Sequence, residues 1–152
     1  MTDIGRQRAD VVAEAQRWLG TPYHPCARKR GVGVDCAQLP AAVYGALGLI
    51  PEVPVEDYPP DWHIHNGDER YLEEVFKHAV ELPAPPAPGG FIMWKVGRAY
   101  AHGGIVIDYP LVIHAVAGHG VVWGDASRDC LGAKHRLADL SPRYFDLKIW
   151  GV

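Results

Sequence analysis

Residues 31–48, GVGVDCAQLPAAVYGALG, pass from a glycine-rich approach into a helical pattern. Leu39, Val43 and Leu47 fall three, seven and eleven residues after Cys36 and share one helical face. Asp35 stands just before this run. Its carboxylate is suited to accept from an orphan amide of the first turn, which makes it the N-cap and puts Cys36 at the helix start. A thiol there meets free N–H groups and the positive end of the helix dipole. Both favour the thiolate, so Cys36 is expected to be more reactive than Cys26 or Cys130. A lone cysteine is more often a small buried hydrophobe, and only its partners elsewhere in the chain argue for chemistry. Pro40 lies four residues after Cys36. It cannot donate to the Cys36 carbonyl, which the sequence therefore predicts to be without a helical partner, in a bent or loosened first turn.

Outward from this stretch, residues 3–19 have helical spacing, with Ile4, Val11, Val12, Ala15, Trp18 and Leu19 on one face. Gly20 is the natural stop and Pro22 prevents continuation. The Cys36 helix is expected to run to about Leu47. Residues 51–67 read as a loop with four prolines and Tyr58, Trp62, His63 and His65, the kind of long segment that often walls a cleft. A second amphipathic helix follows, from about Asp68 to Val80, then a stiff connector from Pro83 to Gly90. From Phe91 the period changes to two. Phe91–Trp94, His102–Asp108, Leu111–Val116, Val121–Trp123 and Leu147–Val152 read as strands, with hairpins at Asp108-Tyr109-Pro110 and Gly118-His119-Gly120. Helices followed by a meander make an α+β fold, with the helices packed on an antiparallel sheet of about five strands.

The 152 residues are expected to form a single domain, 1–152, large enough for a core without covalent staples. A net charge of −3 and a pI near 6.2 give no reason to expect a nucleic-acid partner. No apolar run reaches the roughly eighteen residues that a membrane span needs. The N-terminal stretch lacks the apolar core of a signal peptide, so synthesis in the cytoplasm is expected, with any exit by another route. Three cysteines are too few and too scattered for a disulfide framework.

Two histidines give Cys36 its company. His102 opens the strand HGGIVID, and His114 lies twelve residues on, in LVIHA. A tight turn at Tyr109-Pro110 brings the second strand back beside the first, so the two rings should be near neighbours of compatible parity. A thiol, a histidine and a second polar group are the parts of a nucleophile–base–orienter triad. His102 would take the Cys36 proton or hold a thiolate–imidazolium pair, and His114 would fix its tautomer. The Cys36 backbone N–H is a ready oxyanion donor.

In order and spacing, GTPYHPC…GVGVDCAQL, AHGGIVID and VIHA together resemble the NlpC/P60 cysteine peptidases, which have a papain-like core. The resemblance runs from Trp18 to about Ala115. It implies Cys36 as nucleophile, His102 as base, His114 as orienting residue and Tyr23 as a cleft-lining hydroxyl near the oxyanion or substrate, with Asp35 and Gln38 beside the substrate. The implied reaction is hydrolysis of amide bonds in bacterial cell-wall peptides, typically between D-γ-glutamyl and a diamino acid. The implied partner is a peptidoglycan peptide, and no cofactor is required. The signal-less form is similar to members borne by phage tails, where tail proteins would be partners and the cell wall the site of action. Ala37-Gln38 replaces the usual Ser-Gly, Pro40 follows, and Gly90 stands where Asp is common.

Other readings of the same residues are a thiol amidase or acyltransferase on another substrate, and a non-catalytic tail or assembly component. A zinc site drawn from His24, Cys26, Cys36, His63 and His65 lacks any CxxC or HxxxH spacing, so no metal is expected. A Cys26–Cys36 disulfide would silence the thiol.

Overall fold

The structure, a computed structural model, describes residues 2–55 and 69–151. Helix α1 spans Asp3–Arg17 and opens on Thr2, whose hydroxyl accepts from the Gly5 N–H at 2.9 Å. Val11 and Ala15 are its buried residues, as the periodicity predicts. Two short strands, β1 (Arg28–Lys29) and β2 (Gly33–Val34), precede α2 (Gln38–Ala46). Helix α3 spans Arg70–His78 and runs directly into β3 (Ala79–Leu82). Then come β4 (Phe91–Val96), β5 (Ala99–Asp108), β6 (Leu111–Val116), β7 (Gly120–Asp125), the small pair β8 (Cys130–Leu131) and β9 (His135–Arg136), and β10 (Arg143–Leu147).

The main sheet has six antiparallel strands in the order β3-β10-β4-β5-β6-β7. It corrects the sequence reading at three places. The expected helix of about Asp68 to Val80 stops at His78, and Ala79–Leu82 forms an edge strand. The expected last strand of Leu147–Val152 lies earlier, at Arg143–Leu147, followed by a 3₁₀ turn over Lys148–Trp150. His102 lies inside its strand rather than at its start. The first two have one cause. β10 inserts between β3 and β4, with Tyr144 opposite both Leu82 and Ile92, a pairing between distant segments that local pattern cannot report. The turn after it buries Trp150, whose indole N–H donates to Gln7 and whose ring lies 4.1 Å under the Arg8 guanidinium.

Strand alternation sorts the core into two layers. Phe91, Met93, Ile105, Ile113 and Ala115 face the helices and pack with residues such as Val11, Leu39 and Val43. Ile92, Trp94, Val106 and Val112 face the other way, under Ala126 and Leu137. Leu39 and Val43 are fully buried, and each contributes roughly 1.5–3 kcal/mol by leaving water. The helices thus cover one face, as expected. One ion pair binds the first and last elements together: both Arg8 guanidinium nitrogens of α1 bond the buried Asp146 carboxylate of β10. Arg8 also donates to the carbonyls of Ala87 and Pro88, which anchors the proline-rich connector.

Candidate active site

The Asp35 carboxylate organises the Cys36 turn. Its Oδ1 accepts from the backbone N–H groups of Ala37 and Gln38 at 3.0 and 2.9 Å, and its Oδ2 accepts from the Cys26 N–H at 2.7 Å. Asp35 is therefore the capping residue, but regular helix begins only at Gln38. Cys36 sits in the turn before it, half-buried, and donates its thiol hydrogen to the Ala101 carbonyl of β5 at 3.2 Å. Tyr23 reaches the same place because it bridges Val34, with the Val34 N–H bonded to Pro22 and the His24 N–H bonded to Val34.

The environment corrects the expected thiolate. Burial, and secondly the Asp35 charge, push the Cys36 thiol up to about 12, against donation from the Tyr23 hydroxyl and from the Cys36 and Gly103 N–H groups. Burial is the larger cause, and the cap adds to it. Asp35 takes the two leading amides that would have favoured an anion and places its own negative charge beside the sulfur. Both effects favour the neutral thiol over the thiolate at pH 7. Burial and the adjacent Cys36 likewise raise the Tyr23 phenol, which stays protonated as a donor.

His102 and His114 meet as the parity argument requires. The register pairs Ile105 with Ile113, which sets His114 opposite Gly104 and diagonal to His102 on the same face. His102 Nε2 lies 2.8 Å from His114 Nδ1, and both rings are buried. Trp94 stacks on His102 at 5.4 Å between centroids. Burial, with His114 as neighbour, holds His102 well below its ordinary value, and burial lowers His114 to about 4. Both are neutral at pH 7, so one ring must donate to the other. For His102 to receive a proton at Nδ1 its own hydrogen must sit on Nε2, directed at His114 Nδ1. No hydrogen bond between the Cys36 thiol and the His102 ring is found among the described residues. The thiol instead rests against the backbone on either side of His102.

A cavity of about 340 Å³ opens at Cys36, walled by Tyr23, Asp35, Gln38, Arg70, Tyr71 and Glu74 among others. Gln38 is buried, and its carboxamide oxygen accepts twice from Arg28, at 2.9 and 2.6 Å. Two contributors to the site escaped the sequence reading. Tyr71 of α3 donates its hydroxyl to the Cys36 carbonyl at 2.8 Å, and Pro40 was the signal that this carbonyl needed a donor from elsewhere. Gly124 of β7 makes room for His114, because a Cβ there would come within 2.7 Å of its Nε2. His63, His65 and the rest of the segment Tyr58–His65 lie outside the described residues. Among the described residues no cluster of His, Cys, Asp or Glu is arranged to hold a metal ion. Cys26, Cys36 and Cys130 are in no disulfide. No described helix is long and apolar enough to cross a membrane.

No family model matches the sequence, and no curated protein matches it. Solved structures do match in fold. The NlpC/p60 domain of the peptidoglycan hydrolase SagA superposes with a TM-score of 0.57 at 19% identity, over 91% of this chain and 96% of that one. A Staphylococcus aureus NLP/P60 family protein described as similar to lipoprotein gives 0.59 at 18% identity, over 94% of this chain and 42% of that one. An NlpC/P60 family protein from Bacillus cereus gives 0.56 at 19% identity, over 90% and 39%. The chain thus spans about two fifths of the length of the latter two.

Proposed function

We propose that this chain, whose α+β architecture is the NlpC/P60 papain-like fold, is a thiol hydrolase of bacterial cell-wall peptides. Residues 1–152 would form one catalytic domain, with Cys36 as nucleophile, His102 as base and His114 as its orienting partner. The observation that carries the reading is the pairing of His102 Nε2 with His114 Nδ1 at 2.8 Å, on a strand whose backbone holds the Cys36 thiol at Ala101. Such a pairing leaves His102 Nδ1 for the proton of the nucleophile.

With both partners neutral, the reaction begins as general-base catalysis rather than from a standing ion pair. The sulfur attacks the amide carbonyl and its proton passes to His102 Nδ1 as the C–S bond forms. His102 becomes an imidazolium stabilised by its Nε2–H bond to His114. The tetrahedral oxyanion faces the Cys36 N–H and the Tyr23 hydroxyl. Collapse breaks the C–N bond, and the departing amine takes the proton from His102, leaving a thioester on Cys36. Water then attacks the thioester and gives its proton to His102. The carboxylic acid leaves and the thiol is restored.

The sequence resemblance supports the bond between D-γ-glutamyl and a diamino acid as the one cut, and a phage tail as carrier to the cell wall. Mass spectrometry of peptidoglycan fragments incubated with the protein, and with Cys36→Ala, tests the reading. New peptides that disappear in the variant are expected. Identical products from both proteins would remove Cys36 from the chemistry and favour the assembly-component reading. Gln38, bulkier than the usual glycine and clamped by Arg28, favours as a second reading a thiol amidase or acyltransferase on another substrate. Acylation of Cys36 by a non-wall donor, with every wall fragment uncut, would select it.

A further inference from the structure

Pro40 and Tyr71 solve one problem between them. In a regular helix the N–H of residue 40 would donate to the Cys36 carbonyl, and proline has none. Leu39 still donates to Asp35 at 3.1 Å, so the turn is helical up to this gap. A carbonyl left without a donor beside the half-buried thiol costs about as much as a lost hydrogen bond, and it lets the turn rotate. The Tyr71 hydroxyl fills the gap at 2.8 Å, from a helix distant in sequence. The fit is tight on the far side too. A Cβ on Gly103 would come within 2.5 Å of both the Tyr71 hydroxyl and the Phe91 ring, so the glycine after His102 admits the phenol. The peptide unit joining Cys36 to Ala37 is therefore held at both ends, its N–H by Asp35 and its C=O by Tyr71.

We propose that Tyr71 is a positioning residue for the nucleophile: its hydroxyl stands in for the amide that Pro40 lacks and sets the torsion at which Cys36 presents its thiol to His102. The contact that carries its role is the hydroxyl's bond to the Cys36 backbone, not to the sulfur. It acts through the Cys36 carbonyl, and it couples the site to α3, so that any shift of that helix is transmitted to the nucleophile. The proposal deepens the thiol-hydrolase reading and rests on it for the turnover measurement. The alkylation measurement needs no substrate.

The test compares wild type, Tyr71→Phe, Pro40→Ala and the double variant Tyr71→Phe/Pro40→Ala, with melting curves to confirm that each folds. Iodoacetamide labelling of Cys36, read by mass spectrometry against pH, should show a lower-pH midpoint in Tyr71→Phe as the loosened turn exposes the sulfur. On peptidoglycan fragments kcat should fall by about five- to twentyfold with KM little changed, the rate equivalent of one positioning hydrogen bond. Alanine at 40 restores the amide donor, so the double variant should recover both the labelling profile and most of the turnover. A folded Tyr71→Phe with the wild-type labelling profile would overturn the proposal. So would a double variant no better than the single one. Absence of cleavage by the wild type would count against the hydrolase reading alone, and the labelling comparison would still decide the role of Tyr71.

Discussion

In the proposed mechanism a neutral thiol and a neutral imidazole divide the work at the residue scale. As the proposed base, His102 would gain and lose a proton in each cycle, whereas His114 would only accept a hydrogen bond at its Nδ1. His102→Ala should lower turnover on wall fragments by about 10²–10⁴, the range of a lost general base. His114→Ala should cost less, since water can enter and accept in its place. His114→Asn, whose amide oxygen can accept where Nδ1 did, should cost least. Steady-state kinetics on one defined fragment rank the three, and a larger loss at 114 than at 102 would exchange the two roles. The thiol makes a second prediction. With burial and Asp35 pushing it up to about 12, Cys36 should alkylate more slowly at pH 7 than the exposed Cys130, and its rate should still be climbing at pH 10. Preferential labelling of Cys36 at pH 7 would restore the thiolate that its position alone suggested. That suggestion went astray for a definite reason. Asp35 was legible as a cap, but the burial of the sulfur, which raises its pKa most, comes from tertiary packing, and Asp35 adds its charge beside it.

At the scale of elements, the two histidines depend on what the strands leave out. His114 leans toward His102 because Gly104 stands opposite it, and its outer edge clears β7 because residue 124 is glycine. Gly124→Ala would place a methyl 2.7 Å from His114 Nε2, with His102 and Trp94 already packed on the other sides. The ring must tilt, and the 2.8 Å bond to His102 is the first contact to give. The variant should melt within a few degrees of wild type, yet lose turnover about as severely as His114→Ala. Wild-type activity in a folded Gly124→Ala would show that the His102–His114 bond tolerates displacement. The sequence makes the β5–β6 hairpin legible, since its turn residues and alternating apolar positions are local signals. The helices α1 and α2 are legible for the same reason. Gly124 is not, because its importance arises from a neighbouring strand whose register had to be known. Tyr71 falls between these cases. Pro40 announces an unpartnered carbonyl, but nothing local says which residue will reach it.

For the whole molecule, the site and the stability share the same buried groups. The fold class follows from helical period in the first half and alternation in the second. The sixth strand of the sheet does not, because β10 closes it by pairing across the chain with β3 and β4. His102 and His114 are buried on the face of the sheet that carries Trp94, and this enclosure has a thermodynamic consequence. A histidine free in the unfolded chain takes a proton near pH 6.5, whereas His114 in the folded protein does so only at about 4 and His102 is also held well below its ordinary value. As pH falls below 6.5 the unfolded state binds protons that the folded state refuses, so stability is lost on acidification. Each histidine costs roughly 1.4 kcal/mol per pH unit across its window. For His114 that window closes near pH 4, where the folded ring protonates as well. The carboxylates held low, Glu74 by Lys77 and Glu81 by Arg143, act mainly below their ordinary value of 4.5, under the histidine window. Thermal melts should therefore show Tm nearly level between about pH 7 and 8, where neither the histidines nor the raised Cys36 thiol titrate in either state, and falling between 6.5 and 4.5. His114→Asn removes one of the two buried rings and should flatten that fall while leaving the decline below 4.5 in place. An equally steep fall in the variant would mean that the acid sensitivity comes from groups other than His114, and that enclosing this ring costs the fold nothing.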